Sequence, residues 1–141
     1  MKKPISWLGR GILVVVLILL FFLFIWPFFN NYILVNGTLN GINRSISKEL
    51  NSGTAVTQVI SFLDSRHIEH SELLSSPQKD SDFVRSPKLD GKRDKVKNQI
   101  LAIKRNIGFS LLGSTSISMH FYFDEYSRLV EYTANLVCTF L

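Results

Sequence analysis

Three histidines and two adjacent carboxylates are the side chains of this chain best suited to chemistry. His67 and His70 stand three residues apart, a spacing that on a helix would place both imidazoles on one face as metal ligands. They follow the end of an amphipathic segment among polar residues, and no third ligand is evident. We therefore interpret them as solvated histidines and predict no metal site.

Asp124, Glu125 and His120 form the one cluster that could supply general acid–base catalysis. The two carboxylates lie, however, in a polar pentapeptide between two alternating segments, where a turn is the expected structure. The serines of residues 114–118 match no Gly-x-Ser-x-Gly nucleophile motif. We predict no catalytic residue and no cofactor, and we keep a small membrane-bound enzyme as the alternative.

The charge balance argues against nucleic acid as a partner. The chain has 16 basic and 11 acidic residues, and three of the basic ones (Lys2, Lys3 and Arg10) precede residue 30. The remainder is close to neutral, unlike the basic face of a nucleic-acid binder. The densest basic run is Lys88, Lys92, Arg93, Lys95 and Lys97. It suits anionic headgroups or an acidic partner, although a solvated loop is the simpler interpretation.

The apolar segment 12–29 contains 18 residues and no charged side chain. As an α-helix it would be about 27 Å long, close to the hydrocarbon thickness of a bilayer. A cleaved signal peptide would have a shorter apolar core, followed by a small-residue cleavage site. Here the apolar core runs on through Trp26 and Pro27, and no such site follows. The segment therefore predicts an uncleaved transmembrane helix whose partner is the lipid bilayer.

The flanking charges predict the orientation of that helix. Lys2, Lys3 and Arg10 lie on its N-terminal side, and the first basic residue after it is Arg44. The positive-inside rule then makes residues 1–11 a cytoplasmic stub. The expected location is the cell (inner or plasma) membrane, with the C-terminal domain outside, in the periplasmic or extracellular space.

Two amphipathic helices are predicted after a linker at 30–37. The first has apolar residues at 39, 42, 46 and 50, and the second covers 54–65 with Thr54 as its N-cap. The polar segment 75–97 is interpreted as a long exposed loop. Strands are expected at 98–107, 117–124 and 130–140. The first contains several β-branched and apolar residues, and the last two alternate between apolar and polar residues.

This order predicts an α+β fold. One N-terminal transmembrane helix is followed by an αα-hairpin packed on a three-stranded antiparallel sheet, in an extracytoplasmic domain at 38–141. Cys138 is the only cysteine, so an intramolecular disulfide is impossible. It falls on the apolar side of its strand, where we expect a small buried hydrophobe.

The segments around the second helix and the last hairpin resemble a known family. Gly53-Thr-Ala-Val-Thr-Gln-Val59 and the hairpin from Phe121 to Tyr132 are similar to the second helix and the Phe-x-Phe-Asp…Gly-Arg-Leu hairpin of small outer-membrane assembly lipoproteins, the SmpA/OmlA or BamE-like family. The resemblance covers about residues 38–140 and implies a non-enzymatic module that binds proteins. The chain departs from the family in lacking a lipidation cysteine and in having Ser127 where glycine is usual.

The function expected from these patterns is a single-pass, membrane-anchored binding or assembly module. An accessory subunit of a membrane complex is the other alternative. We expect the protein partner on the basic loop or on the sheet face, where Tyr122, Leu129 and Val137 would form an apolar patch.

Overall fold

The computed structural model describes residues 7–75, 83–84, 86–110 and 113–140. Its helices are α1 (Trp7–Leu20), a π-helical segment (Phe21–Ile25), α2 (Trp26–Glu49) and α3 (Val56–Ser65). Its strands are β1 (Glu69–His70), β2 (Leu74–Ser75), β3 (Asn98–Ser110), β4 (Gly113–Phe123) and β5 (Leu129–Phe140). Two short 3₁₀ turns, Pro87–Leu89 and Arg93–Lys95, precede β3. The class is therefore α+β.

The apolar segment 12–29 is divided among three helical elements, and this corrects the predicted transmembrane helix. In the part of the chain that the structure describes, no helix is both long enough and apolar enough to cross a membrane. α1 has only 14 residues, and the π-helical segment adds five. α2 has 24, but most of it is the polar sequence that follows Phe29. The expected linker at 30–37 is helical and belongs to α2.

The predicted location and orientation depended on that transmembrane helix. The predicted location, a single-pass protein of the cell membrane with its C-terminal domain outside, is therefore contradicted by the structure. Residues 1–6 of the predicted stub at 1–11 lie outside the described residues. The description of the chain as a single-pass signal-anchor protein is wrong for the same reason.

Among the described residues the sheet is antiparallel and has five strands, where three were predicted. Its order is β1-β3-β4-β5, and β2 also pairs with β3. The two additional strands, β1 and β2, are two residues long each, so they show no alternation that a sequence pattern could reveal. Asp124–Arg128 forms the turn from β4 to β5, and Ser127, at the usual glycine position, has a positive φ of 57°.

The main core lies between α2, α3 and one face of the sheet, here called the inner face. Ile46 of α2, Leu50 just after its end and Leu63 of α3 are buried there. They belong to one apolar cluster with Phe121 of β4 and Tyr132 of β5. α3 begins one residue later than the sequence pattern predicts. Ala55 is its N-cap, and the hydroxyl of Thr54 donates to the Asn51 carbonyl.

The segment before β3 covers part of the outer face. Phe83, Leu89 and Val96 form a second apolar cluster with Tyr122, which is fully buried. Part of the predicted loop 75–97, at 76–82 and 85, falls outside the described residues. In the rest of the loop, Phe83, Leu89 and Val96 pack against the sheet.

Candidate functional site

The first half of β5 is covered along its outer edge by the turn between α2 and α3. The amide of Gly53 donates to the carbonyl of Leu129 (2.7 Å), and the amide of Leu129 donates to the carbonyl of Thr54 (2.8 Å). Ala55 also forms a β-bridge with Arg128. These bonds satisfy main-chain groups that an edge strand would otherwise expose.

Side chains continue this cover as far as Tyr132. The Tyr132 hydroxyl lies 3.0 Å from the Ser47 hydroxyl of α2. The Lys88 ammonium lies over the Tyr132 ring, 4.4 Å from the ring centre. Lys92 Nζ lies 2.8 Å from a carboxylate oxygen of Glu131. The beginning of β5 is thus enclosed by α2 on the inner side and by the segment at 86–92 on the other.

The second half of β5 is open. Val137, Cys138 and Thr139 are exposed, and Leu136 is half-buried. Among the described strands only β4 pairs with β5, so these residues lie at the edge of the sheet. The expectation that Cys138 would be buried is wrong, because the core beneath this end of the strand is incomplete.

An apolar groove lies between this open end and the helix. Ile25, Phe29, Tyr32 and Val35 line one side, and Leu136 and Cys138 line the other. Three polar residues complete the lining: Asn31, Asn36 and Thr115. Its volume is about 630 Å³.

α2 lies close to Gly108 of β3. A Cβ at that position would collide with the Val35 side chain and lie 2.6 Å from Asn31 Oδ1. Gly108 therefore permits this close contact between α2 and β3.

The helical surface that precedes the groove is apolar on all sides and uncovered. The large apolar side chains that the structure describes between Ile12 and Leu34 are 44 to 68% exposed. A helix that is apolar around its whole circumference is normally surrounded by other apolar groups. This helix and the groove make one continuous apolar surface, here called the open surface.

The candidate catalytic residues are not brought together. His120 is buried in β4, with Nε2 3.3 Å from the Ser118 hydroxyl. Asp124 lies beyond the end of the strand, on the order of 13 Å away along an extended chain. Its Oδ1 accepts from the amides of Tyr126 (2.9 Å) and Arg128 (2.8 Å), which is the bonding of a turn residue.

The two other histidines do not share a helix face. α3 ends at Ser65, His67 has a positive φ of 51°, and His70 is in β1. His70 Nε2 lies 3.1 Å from Asp64 Oδ1, and its Nδ1 lies 2.9 Å from the Ser71 carbonyl. The carbonyl and then the carboxylate raise the pKa of His70 above its ordinary value. No group of three metal-ligating side chains occurs within the described ranges.

The two predicted partner surfaces are largely occupied by contacts within the chain. Tyr122 is buried by Phe83 and Leu129 by the core, so only Val137 of the expected patch is exposed. In the basic loop Lys88 and Lys92 contact β5. Arg93 pairs with Asp90 (2.8 Å) and donates to the carbonyls of residues 83, 84 and 86.

Comparison of the chain with protein-family models, with curated proteins and with solved structures gave no match. The resemblance to the BamE-like lipoproteins therefore stays a prediction. Contact between residues 12–29 and a lipid bilayer also stays a prediction. The open surface was missed at the sequence level because the alternation of β5 predicts which residues face the helices and does not show where the helices stop covering them.

Proposed function

We propose that this protein is a non-enzymatic module that binds a partner protein through its open surface. The observation that carries the proposal is the exposure of the large apolar side chains from Ile12 to Leu34, next to an apolar groove. Apolar surface costs about 25 cal/mol per Å² when it is left in water. Exposed patches of this extent usually mark interaction sites.

The position of the open surface supports binding over catalysis. It joins a helix, a groove and a strand edge, and its described side chains include no group of three His, Cys, Asp or Glu residues. Catalytic sites need convergent polar groups, whereas protein interfaces have apolar centres with aromatic anchors. Phe29 and Tyr32 provide such anchors at the mouth of the groove.

Site-specific photocrosslinking in living cells tests this proposal. A photoreactive amino acid at Phe29 or Tyr32 should give the same discrete protein adduct, whose partner is identified by mass spectrometry. Arg44 provides the matched control, because it is an exposed residue of the same helix away from the groove. A Leu136→Lys change should reduce the adduct by placing a charge in the groove.

Two results would contradict the proposal. One is adduct formation with lipid alone at Phe29 and Tyr32. The other is equal protein adducts at Phe29 and Arg44, because that pattern would show random collision.

A further inference from the structure

We propose that His70 is a proton-operated latch that holds β1 on the edge of β3, and that loss of its proton releases β1. β1 lies at the other edge of the sheet from β5, so the latch does not depend on a partner at the open surface. Its release would uncover main-chain groups of β3 and remove one wall of a groove on the outer face.

Both ring nitrogens of His70 face oxygen atoms that accept hydrogen bonds. Nδ1 lies 2.9 Å from the main-chain carbonyl of Ser71, and Nε2 lies 3.1 Å from the Asp64 carboxylate of α3. A neutral imidazole carries one N–H and one lone pair, so it can serve only one of these acceptors. The imidazolium carries two N–H groups and serves both. The geometry therefore fits the protonated ring, and deprotonation would leave a lone pair facing an oxygen.

The carbonyl that His70 contacts belongs to the residue that covers the edge of β3. The Ser71 amide donates to the Leu101 carbonyl (2.8 Å), and the Ser71 hydroxyl accepts from the Leu101 amide (3.1 Å). Ser71 thus satisfies both main-chain groups of Leu101. A protonated His70 holds Ser71 in this position, and a neutral ring would hold it less firmly.

The other contacts of β1 show where release would begin. Ile68, just before the strand, is buried in the core and would stay in place. Glu69 pairs with Arg105 at 2.8 Å, but the two side chains are 63% and 60% exposed, and exposed ion pairs contribute little. The His70 side chain is only 20% exposed. Release would therefore involve residues 69–71 and leave the core intact.

The groove beside β1 would change with this release. Its volume is about 340 Å³, and residues 69–71 and 101–103 line it together with Ser118 and His120 of β4. β1 forms one of its walls. The latch would therefore give the groove two shapes, one at low pH and one at high pH.

The other ionisable groups around β1 have different contacts. Asp64 is the only ionisable residue of α3. Lys104 of β3 donates to the carbonyl of Arg66, whose guanidinium pairs with Glu49. His120 of β4 lines the groove and is buried, with Nε2 near the Ser118 hydroxyl. His67 and Glu72 flank β1 in the sequence.

Amide hydrogen exchange followed by NMR tests the latch in the full-length chain. The Ser71 amide reports on β1, and the Gly53 amide, bonded to Leu129 at the β5 edge, is the matched control. The pKa of His70 is raised, so the latch is closed below about pH 6.5 and opens as the pH rises through the folded value. After correction for the intrinsic exchange rate, Ser71 protection should fall about two- to fivefold between pH 5.5 and pH 9. Gly53 protection should stay constant.

Four variants identify the titrating group. His70→Gln should remove the pH response of Ser71. Asp64→Asn should reduce it, because an amide can donate to a neutral ring as well as accept from a charged one. His67→Asn should keep the response, since Asn tolerates the left-handed φ of 51° at that position. His120→Gln should also keep it.

The latch is rejected if Ser71 loses no more protection than Gly53 does between the two pH values. It is also rejected if His70→Gln keeps the pH response, because another group would then be titrating. Loss of the response in His120→Gln, with no loss in His70→Gln, would place the switch in β4 instead. Because Asp64→Asn leaves the histidine in place, it decides the question even if His70→Gln fails to fold. An undiminished response in Asp64→Asn would contradict the proposed pairing.

Discussion

The two ends of β5 differ in what surrounds them, although one alternating sequence forms both. At the Leu129 end, α2, the α2–α3 turn and Lys88 enclose the strand, and Tyr132 is 8% exposed. At the Cys138 end the same alternation places Leu136 and Cys138 in an open groove beside an exposed helix. Alternation decides which face a side chain occupies, and the neighbouring elements decide whether that face is covered.

The largest expected difference between the two ends concerns phenylalanine truncation. Phe121→Ala should lower the free energy of unfolding by about 3–5 kcal/mol, because it removes a fully buried ring from the closed core. Phe29→Ala at the open end, where the ring is 58% exposed, should change it by less than about 0.5 kcal/mol. Urea unfolding followed by circular dichroism measures both, and similar losses would mean that the open end is also packed.

Gly108→Ala tests where the closed part ends. The added methyl group would meet Val35 and Asn31, so we expect a loss of about 1–3 kcal/mol by the same measurement. Combining it with Val35→Ala should cost less than the sum of the two single changes, because the smaller side chain leaves room. Strict additivity would indicate that α2 and β3 do not touch there.

Tyr132→Phe tests the polar connection between β5 and α2. It removes the hydroxyl that lies 3.0 Å from Ser47 and donates to the Asn43 carbonyl. A loss of about 0.5–1.5 kcal/mol is expected. Tyr126→Phe is the control, because Tyr126 is exposed in the turn and should show no change. If both variants changed the free energy of unfolding equally, the hydroxyl of Tyr132 would not connect β5 to α2.

The smallest expected effect is a pH dependence at the β1 edge. Because the pKa of His70 is raised in the folded state, its contribution is fully present below the unfolded value of about 6.5 and is lost as the pH rises through the folded value. Asp64→Asn should lower that pKa, as followed by NMR titration. It should destabilise the fold by less than about 1 kcal/mol near pH 5.5 and by less still near pH 9. An unchanged titration would show that Asp64 does not contribute.

Much of the sheet could be predicted from the sequence, because β4 and β5 alternate over many residues. The continuation of α2 through Asn30 and Asn31 was missed, since hydropathy changes there while the helical hydrogen bonding does not. The π-helical segment at 21–25 has no pattern of its own. The alternation of β4 predicts that Tyr122 is exposed on the outer face of the sheet. It is buried because Phe83 and Leu89 pack against it.

The most direct test of the account is the reactivity of a thiol at the open end in the native assembly. In a Cys138→Ser background, the thiol of Val137→Cys should react slowly with a maleimide, although Val137 is 43% exposed in the single chain. Adding Leu136→Lys should weaken binding of the partner and raise the rate to near that of a Tyr126→Cys variant in the same background. A rate that is already equally high before Leu136→Lys is introduced would contradict the claim that this end of the molecule is a binding surface.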